Sequence, residues 1–142
     1  MLKGIDPLLG PELLAALRAM GHGDEIVIAD ANFPAESLAR RLSRAAGIDA
    51  VRMARAVLGV LPLDDFALVA AYRMIVVDAP ESEPEIVGDF RLALSEVGYH
   101  GQIEAIERLA FYERAKAAFA IIATGETRLY GNLILRKGVI RL

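Results

Sequence analysis

No cysteine occurs anywhere in the 142-residue chain. That absence excludes a disulfide framework, a thiolate nucleophile and any zinc site built on cysteine. Histidine is scarce as well, with only His22 and His100, well separated in sequence. A transition-metal centre would therefore be short of ligands, and no metal is expected. Basic charge is in deficit: 16 Lys and Arg against 19 Asp and Glu leave a net charge of -3, which argues against a nucleic-acid partner. Arginines do gather at positions 40, 41, 44, 52 and 55, but without interleaved aromatics they form a solvated or intersubunit face.

Long apolar runs are missing too. The longest stretch free of charge, residues 117–125, has nine residues, whereas a bilayer span needs roughly 18 or more. No membrane helix is expected. The first segment carries Lys3, Asp6, Glu12 and Arg18, which does not fit a secretory leader, so a cytoplasmic location is expected. There is no P-loop, no G-x-G-x-x-G fingerprint and no G-x-S-x-G elbow. Nucleotide-dependent and acyl-enzyme chemistry thus lack support.

What the chain has in abundance is apolar side chains, 55% of all residues against 25% charged. For a single domain of this length the excess suggests apolar surface buried between subunits. The pattern alternates strands and helices. A helix is predicted over 11–20, with Gly21 as its left-handed stop, then a buried strand over 26–29 and a second helix from 33 to 45 stopped by Gly47. Residues 50–53 suit a brief strand before a helix ending near 61–62, although helix throughout competes. A strand follows over 67–77 and a helix over 84–97, with Ile86, Phe90, Leu92 and Leu94 inward. The remainder alternates strand 103–106, helix 110–118, strand 119–123, strand 129–135 and a last segment at 138–140. The fold class expected is α/β, a single three-layer α/β/α domain over residues 1–142 with a mainly parallel, mixed sheet.

Chemistry points first to Gly21-His22-Gly23-Asp24. An imidazole both gives and takes protons near neutral pH, and flanking glycines leave it accessible. Capping the preceding helix is the structural alternative. Asp30 ends the first strand, where open α/β sheets place ligand groups. It also suits an N-cap, although Asn32 is better placed for one. Tyr130 and Asn132, two apart in a strand, would share a face with Gly131 between them for close ligand approach; a turn is the alternative. Arg108 offers a rigid fork of donors, although an i, i+5 pair with Glu113 or a plain surface role suits its spacing better. His100 lies in a polar loop and reads as an exposed residue.

Several blocks together resemble the fucose mutarotase and ribose pyranase family, whose RbsD-like fold the expected architecture matches. They are Met1-Leu2-Lys3-Gly4-Ile5-Asp6-Pro7-Leu8-Leu9, Gly21-His22-Gly23-Asp24, Asp30 with Asn32-Phe33-Pro34, Phe111-Tyr112-Glu113-Arg114-Ala115, Tyr130-Gly131-Asn132 and Lys137-Gly138-Val139. The Phe-Tyr-Glu-Arg-Ala block and Arg108 are closer to the fucose branch, while residues 42–102 match only loosely. The resemblance implies a cofactor-free isomerase that interconverts sugar anomers through the open-chain aldehyde. His22 would be the proton donor, and Asp30, Arg108, Tyr130, Gly131 and Asn132 would bind the monosaccharide, L-fucose before D-ribose. A non-catalytic sugar-binding accessory to uptake is the rival of another class. The family's pentamers and decamers bear on a geometric problem: a strand rising about 3.3 Å per residue puts His22 and Asp30 roughly 20 Å or more apart. Either the Gly-His-Gly turn folds back sharply or the site combines residues of neighbouring subunits; the second, a site shared within a homo-oligomer, is the one expected.

Overall fold

The computed structural model describes every residue, Met1–Leu142. The elements in chain order are α1 (Pro11–Ala19), β1 (Glu25–Ala29), α2 (Ala35–Leu38), β2 (Leu42–Ala45), α3 (Ala50–Leu58), β3 (Ala71–Met74), α4 (Glu85–Glu96), β4 (Ile103–Ile106), α5 (Arg108–Ala117), β5 (Ala120–Thr124) and β6 (Leu133–Arg136). The six strands form one sheet in the order β2-β5-β1-β6-β3-β4. Only β6 runs antiparallel to its neighbours β1 and β3. The mixed, mainly parallel sheet expected from the alternation is thus realised.

Side chains alternate across the strands into two cores, and this makes the three layers. Ile26 and Ile28 of β1, Ala120 and Ile122 of β5, and Leu133 and Leu135 of β6 face α1, α3 and α4. Val27, Ile121 and Ile134 face α2 and α5, where Phe111 and Ala115 are fully buried. Burial on both faces explains why these strands are continuous apolar runs instead of alternating ones.

Several expectations need correction. The helix foreseen over 33–45 is only Ala35–Leu38, and Leu42–Ala45 instead pairs in parallel with β5. Helix propensity in the Ala-Arg-Leu run yields there to the unpaired edge of β5, whose buried backbone groups need partners. Residues 50–53 belong to α3, with Asp49 accepting the Arg52 amide as its N-cap. The strand foreseen over 67–77 is only Ala71–Met74: residues before it form a loop, and Val77 after it turns away to donate its amide to the Tyr130 hydroxyl. Leu92 is 55% exposed, because the inner stripe of α4 runs through Ile86, Val87, Phe90, Ala93 and Leu94. The segment 138–140 adds no strand.

The parallel strands all direct their carboxyl ends to one rim of the sheet. Because β6 is antiparallel, it brings its amino end, with Asn132, to that same carboxyl rim. The opposite amino rim carries the turn before β1, the end of β6 and the loop before β3. This division decides where the functional side chains lie.

Candidate active site

On the amino rim, α1 ends at Ala19, and Met20 is extended with φ -59° and ψ 137°. The left-handed residue is Gly23, at φ +86°, and not Gly21 as expected. Asp24 closes the turn by accepting the Gly21 amide at 2.7 Å. Lys137 grips the turn from both sides. Its carbonyl accepts the Gly23 amide and its amide donates to the Asp24 carbonyl, each at 2.8 Å. Its ammonium donates to the carbonyls of Leu17 at 2.9 Å and Met20 at 2.6 Å. Lys137 is therefore the cation at the end of α1. The capping alternative for His22 is taken up by another residue, and the imidazole is left for other work.

That imidazole meets a partner without a signal in the sequence. His22 Nε2 lies 3.1 Å from Asp64 Oδ1, and the ring packs against Phe66 with centroids 5.0 Å apart. Asp64 is 3% exposed. Burial pushes its carboxyl up, but the Phe66 amide, the His22 hydrogen bond and charge, and the Arg136 guanidinium together hold it below the ordinary aspartate value. A carboxylate only accepts, so it fixes the neutral imidazole as the Nε2-H tautomer and leaves Nδ1 for exchange with a ligand. His22 keeps 43% of its side chain exposed. Asp64 sits in a loop between α3 and β3, where neither periodicity nor a motif marks an acid as special.

The carboxyl rim holds the other residues. Asp30 and Asn132 form a reciprocal pair: the Asp30 amide donates to Asn132 Oδ1, and Asn132 Nδ2 donates to Asp30 Oδ2, both at 2.9 Å. Asp30 Oδ1 accepts the Asn32 amide. Both partners are buried, Asp30 at 5% and Asn132 at 3% exposed. Burial raises the Asp30 carboxyl, against the opposing hydrogen bonds from Asn32, Asn132, Phe33 and Gly131. Neither Asp30 nor Asn32 caps α2, whose first turn follows Pro34 without a side-chain cap.

Tyr130 and Asn132 do not share a strand face as expected, because β6 begins only at Leu133. They lie in the turn that the sequence left as the alternative, with Tyr130 left-handed at φ +61°. A non-glycine residue held there is strained, and such strain concentrates at functional sites. The Val77 amide donates to the Tyr130 hydroxyl oxygen at 3.0 Å. Gly131 is needed for packing: an added Cβ would stand 2.7 Å from Glu126 Cγ and 3.0 Å from the Arg128 carbonyl. Glu126, 3% exposed, accepts from the Ala50 amide and from the Arg128 amide and guanidinium, pinning this loop to α3.

Arg108 opens α5, which starts earlier than the expected 110 because Glu107 caps it. Its guanidinium lies 5.9 Å over the Tyr112 ring, and Tyr112 packs edge-on against Phe33 at 5.6 Å. Glu113 pairs with Lys116 and not with Arg108. Asp30, Tyr130, Gly131 and Asn132 thus come together, with Arg108 on the same rim. His22 does not join them. The five residues of β1 separate His22 from Asp30 by about 16 Å of strand. The cleft beside Asp64 and the cleft beside Asp30 share no lining residue. His100 lines a surface groove with Gln102 and with Tyr99, which also lines the cleft beside Asp64, and joins neither cluster of polar side chains.

Comparison with known proteins places this arrangement. Residues 3–140 match the RbsD / FucU transport protein family. Human fucose mutarotase is 48% identical over 147 aligned residues, covering 99% of this chain and 96% of that protein. A fucose mutarotase from Streptococcus pneumoniae, crystallised in complex with L-fucose, superposes with a TM-score of 0.92 at 42% identity, covering 99% and 100% of the two chains. Bacillus subtilis RbsD complexed with D-ribose gives 0.77 at 25% identity over 99% and 100%.

Proposed function

The chain belongs to the RbsD / FucU family, and from that premise we propose that it is an L-fucose mutarotase whose active site is shared between neighbouring subunits. It interconverts the α and β anomers of L-fucose. The greater likeness to the fucose mutarotase than to RbsD, in both TM-score and identity, favours L-fucose over D-ribose.

The observation that carries the reading is the exposed His22 imidazole backed by buried Asp64 on one rim, opposite a polar cluster on the other. Ring opening requires a proton on the ring oxygen, loss of the anomeric hydroxyl proton, and cleavage of the bond between the anomeric carbon and that oxygen. Rotation of the resulting aldehyde and the reverse transfers close the other anomer. The free Nδ1 of His22 takes the anomeric hydroxyl proton, and the imidazolium so formed, held through Nε2 by the Asp64 carboxylate, gives that proton to the ring oxygen as the ring bond breaks; closure runs the same transfers in reverse. Asp30, Asn132 and the Gly131 backbone orient the sugar hydroxyls, and Arg108 closes the rim. The Tyr130 hydroxyl, held by its hydrogen bond from the Val77 amide, positions the sugar on this side. No step calls for a cofactor.

Within one copy the two halves face apart, so a neighbour supplies the missing half. Exposed apolar side chains lie on both rims: Phe66 against His22 with Leu68 two residues on, and Val77 and Leu129 next to Tyr130 with Leu109 in the first turn of α5. Amino rim against carboxyl rim is a heterologous contact, the head-to-tail kind from which closed rings are built. A pentamer or a pair of stacked pentamers fits this reading. Saturation-transfer NMR on L-fucose, D-ribose and D-galactose tests the function. Acceleration is expected to be greatest on L-fucose. Saturable binding with no acceleration on any of the three would instead make the protein a sugar-binding accessory.

A further inference from the structure

Arg136 does more than end a strand. Its carbonyl accepts the Asp64 amide at 3.0 Å, and its Nε stands 3.1 Å from Asp64 Oδ2. One residue therefore holds Asp64 by main chain and side chain at once. The Nε atom is buried and not aligned as a hydrogen-bond donor to any group, so its hold on the carboxylate is mainly one of charge. The guanidinium also lies along the turn that carries His22: a Cβ on Gly23 would come within 3.6 Å of Nη2. Gly23 is required for its left-handed backbone, at φ +86°, and leaves room for an ordinary contact with Arg136.

We propose, building on the mutarotase reading, that Arg136 is a positioning residue of the reaction, holding Asp64 ionised and turned so that its other oxygen receives the His22 imidazole. The neighbouring charges are otherwise committed. Asp24 is bound to the Gly21 amide, Lys137 to the carbonyls of α1, and Asp65 to Arg141, whose guanidinium also covers Phe66. Arg136 is the cation left to balance Asp64. An isolated carboxylate buried this deeply takes up a proton readily. Once protonated, it no longer serves as an acceptor that fixes the imidazole tautomer, and proton delivery by His22 loses its orientation.

The test compares wild type with Arg136→Met, Arg136→Lys and Arg136→Gln by saturation-transfer NMR on L-fucose across the pH range. The Met and Gln variants are expected to lose roughly 10-fold or more in kcat, with KM nearly unchanged because the sugar contacts lie on the other rim. Their activity should also fade at a higher pH on acidification than that of wild type. Arg136→Lys, which keeps the charge, should regain most of kcat and the wild-type acid limb. A purely structural role would lower thermal stability in all three variants and leave the acid limb in place. That result, or equal losses in Lys and Met, overturns the proposal. If Arg136→Met does not fold, Arg136→Gln carries the same comparison. A wild type that accelerates no anomer exchange would overturn the mutarotase reading itself, a failure distinct from active variants that ignore Arg136.

Discussion

His22 Nε2 and Asp64 Oδ1 meet at 3.1 Å across 42 residues of sequence. The contact places a buried acceptor behind an exposed imidazole and so fixes which ring nitrogen is left free. Asp64→Asn keeps the size of the side chain but removes the charge and allows the wrong tautomer. Anomer exchange on L-fucose should fall by about 10²-fold or more, since positioned acid-base groups contribute on that scale. His22→Ala should abolish exchange without loss of helical circular dichroism. Near-normal saturation transfer in either variant removes the pair from the mechanism.

The layers and the strands were legible because burial on both faces of a parallel sheet writes itself as uninterrupted apolar runs, as in Ile26-Val27-Ile28 and Ala120-Ile121-Ile122. The edge strand β2 was not, since its partner β5 lies about 80 residues downstream and nothing in Leu42-Ser43-Arg44-Ala45 announces the pairing. The same limit governs the site. His22 and Tyr130-Gly131-Asn132 carry local signatures of turn and chemistry. Asp64 and Arg136 carry no such signature, because only contacts that the sheet topology creates bring them to the His22 turn. For Tyr130 the strand reading fails and its turn alternative holds, because alternation cannot register a single left-handed residue.

The glycines separate by physical cause. At Gly21 an added Cβ meets only Asp24 Oδ2 at 3.7 Å, so Gly21→Ala should keep both fold and activity. Gly23→Ala forces a side chain into φ +86° and should destabilise by about 1–2 kcal/mol while loosening the His22 turn. Gly131→Ala drives a methyl into Glu126 and the Arg128 carbonyl, which should shift Tyr130 and raise KM for L-fucose. Thermal melts and steady-state exchange on the three variants check the order. Equal behaviour of Gly21→Ala and Gly23→Ala would contradict it.

Acid stability should rest partly on Glu126. The Arg128 guanidinium, with the Arg128 and Ala50 amides, holds its carboxyl below the ordinary 4.5 despite the opposing effect of burial. A folded-state value below the unfolded one adds stability that is present above the unfolded value and is lost as pH falls through the folded one. Asp30, raised by burial, acts in the opposite sense, favouring the fold at low pH and losing that contribution as pH rises. Glu126→Gln should therefore destabilise by about 1–3 kcal/mol near pH 7 and much less near pH 3. Urea midpoints at the two pH values measure the difference. An equal loss at both would place the effect in packing instead of charge.

A shared site makes a prediction that no single-subunit site can make. Asn132→Ala breaks the reciprocal pair with Asp30 on the carboxyl rim, and His22→Ala removes the donor on the amino rim. Each variant alone should be nearly inactive. After the two are mixed in equal amounts and allowed to exchange subunits, a site is intact only where an Asn132→Ala copy lends His22 to a His22→Ala copy that lends Asn132. Random assembly of a head-to-tail ring creates that order at about one interface in four, so roughly a quarter of wild-type exchange should return. The return should follow the time course of subunit exchange and vanish if the variants are cross-linked into separate rings beforehand. If the mixture stays inactive while light scattering and native mass spectrometry show mixed rings, His22 and Asn132 do not meet across an interface. The approximately 16 Å of β1 between the two rims would then have to be bridged within one subunit.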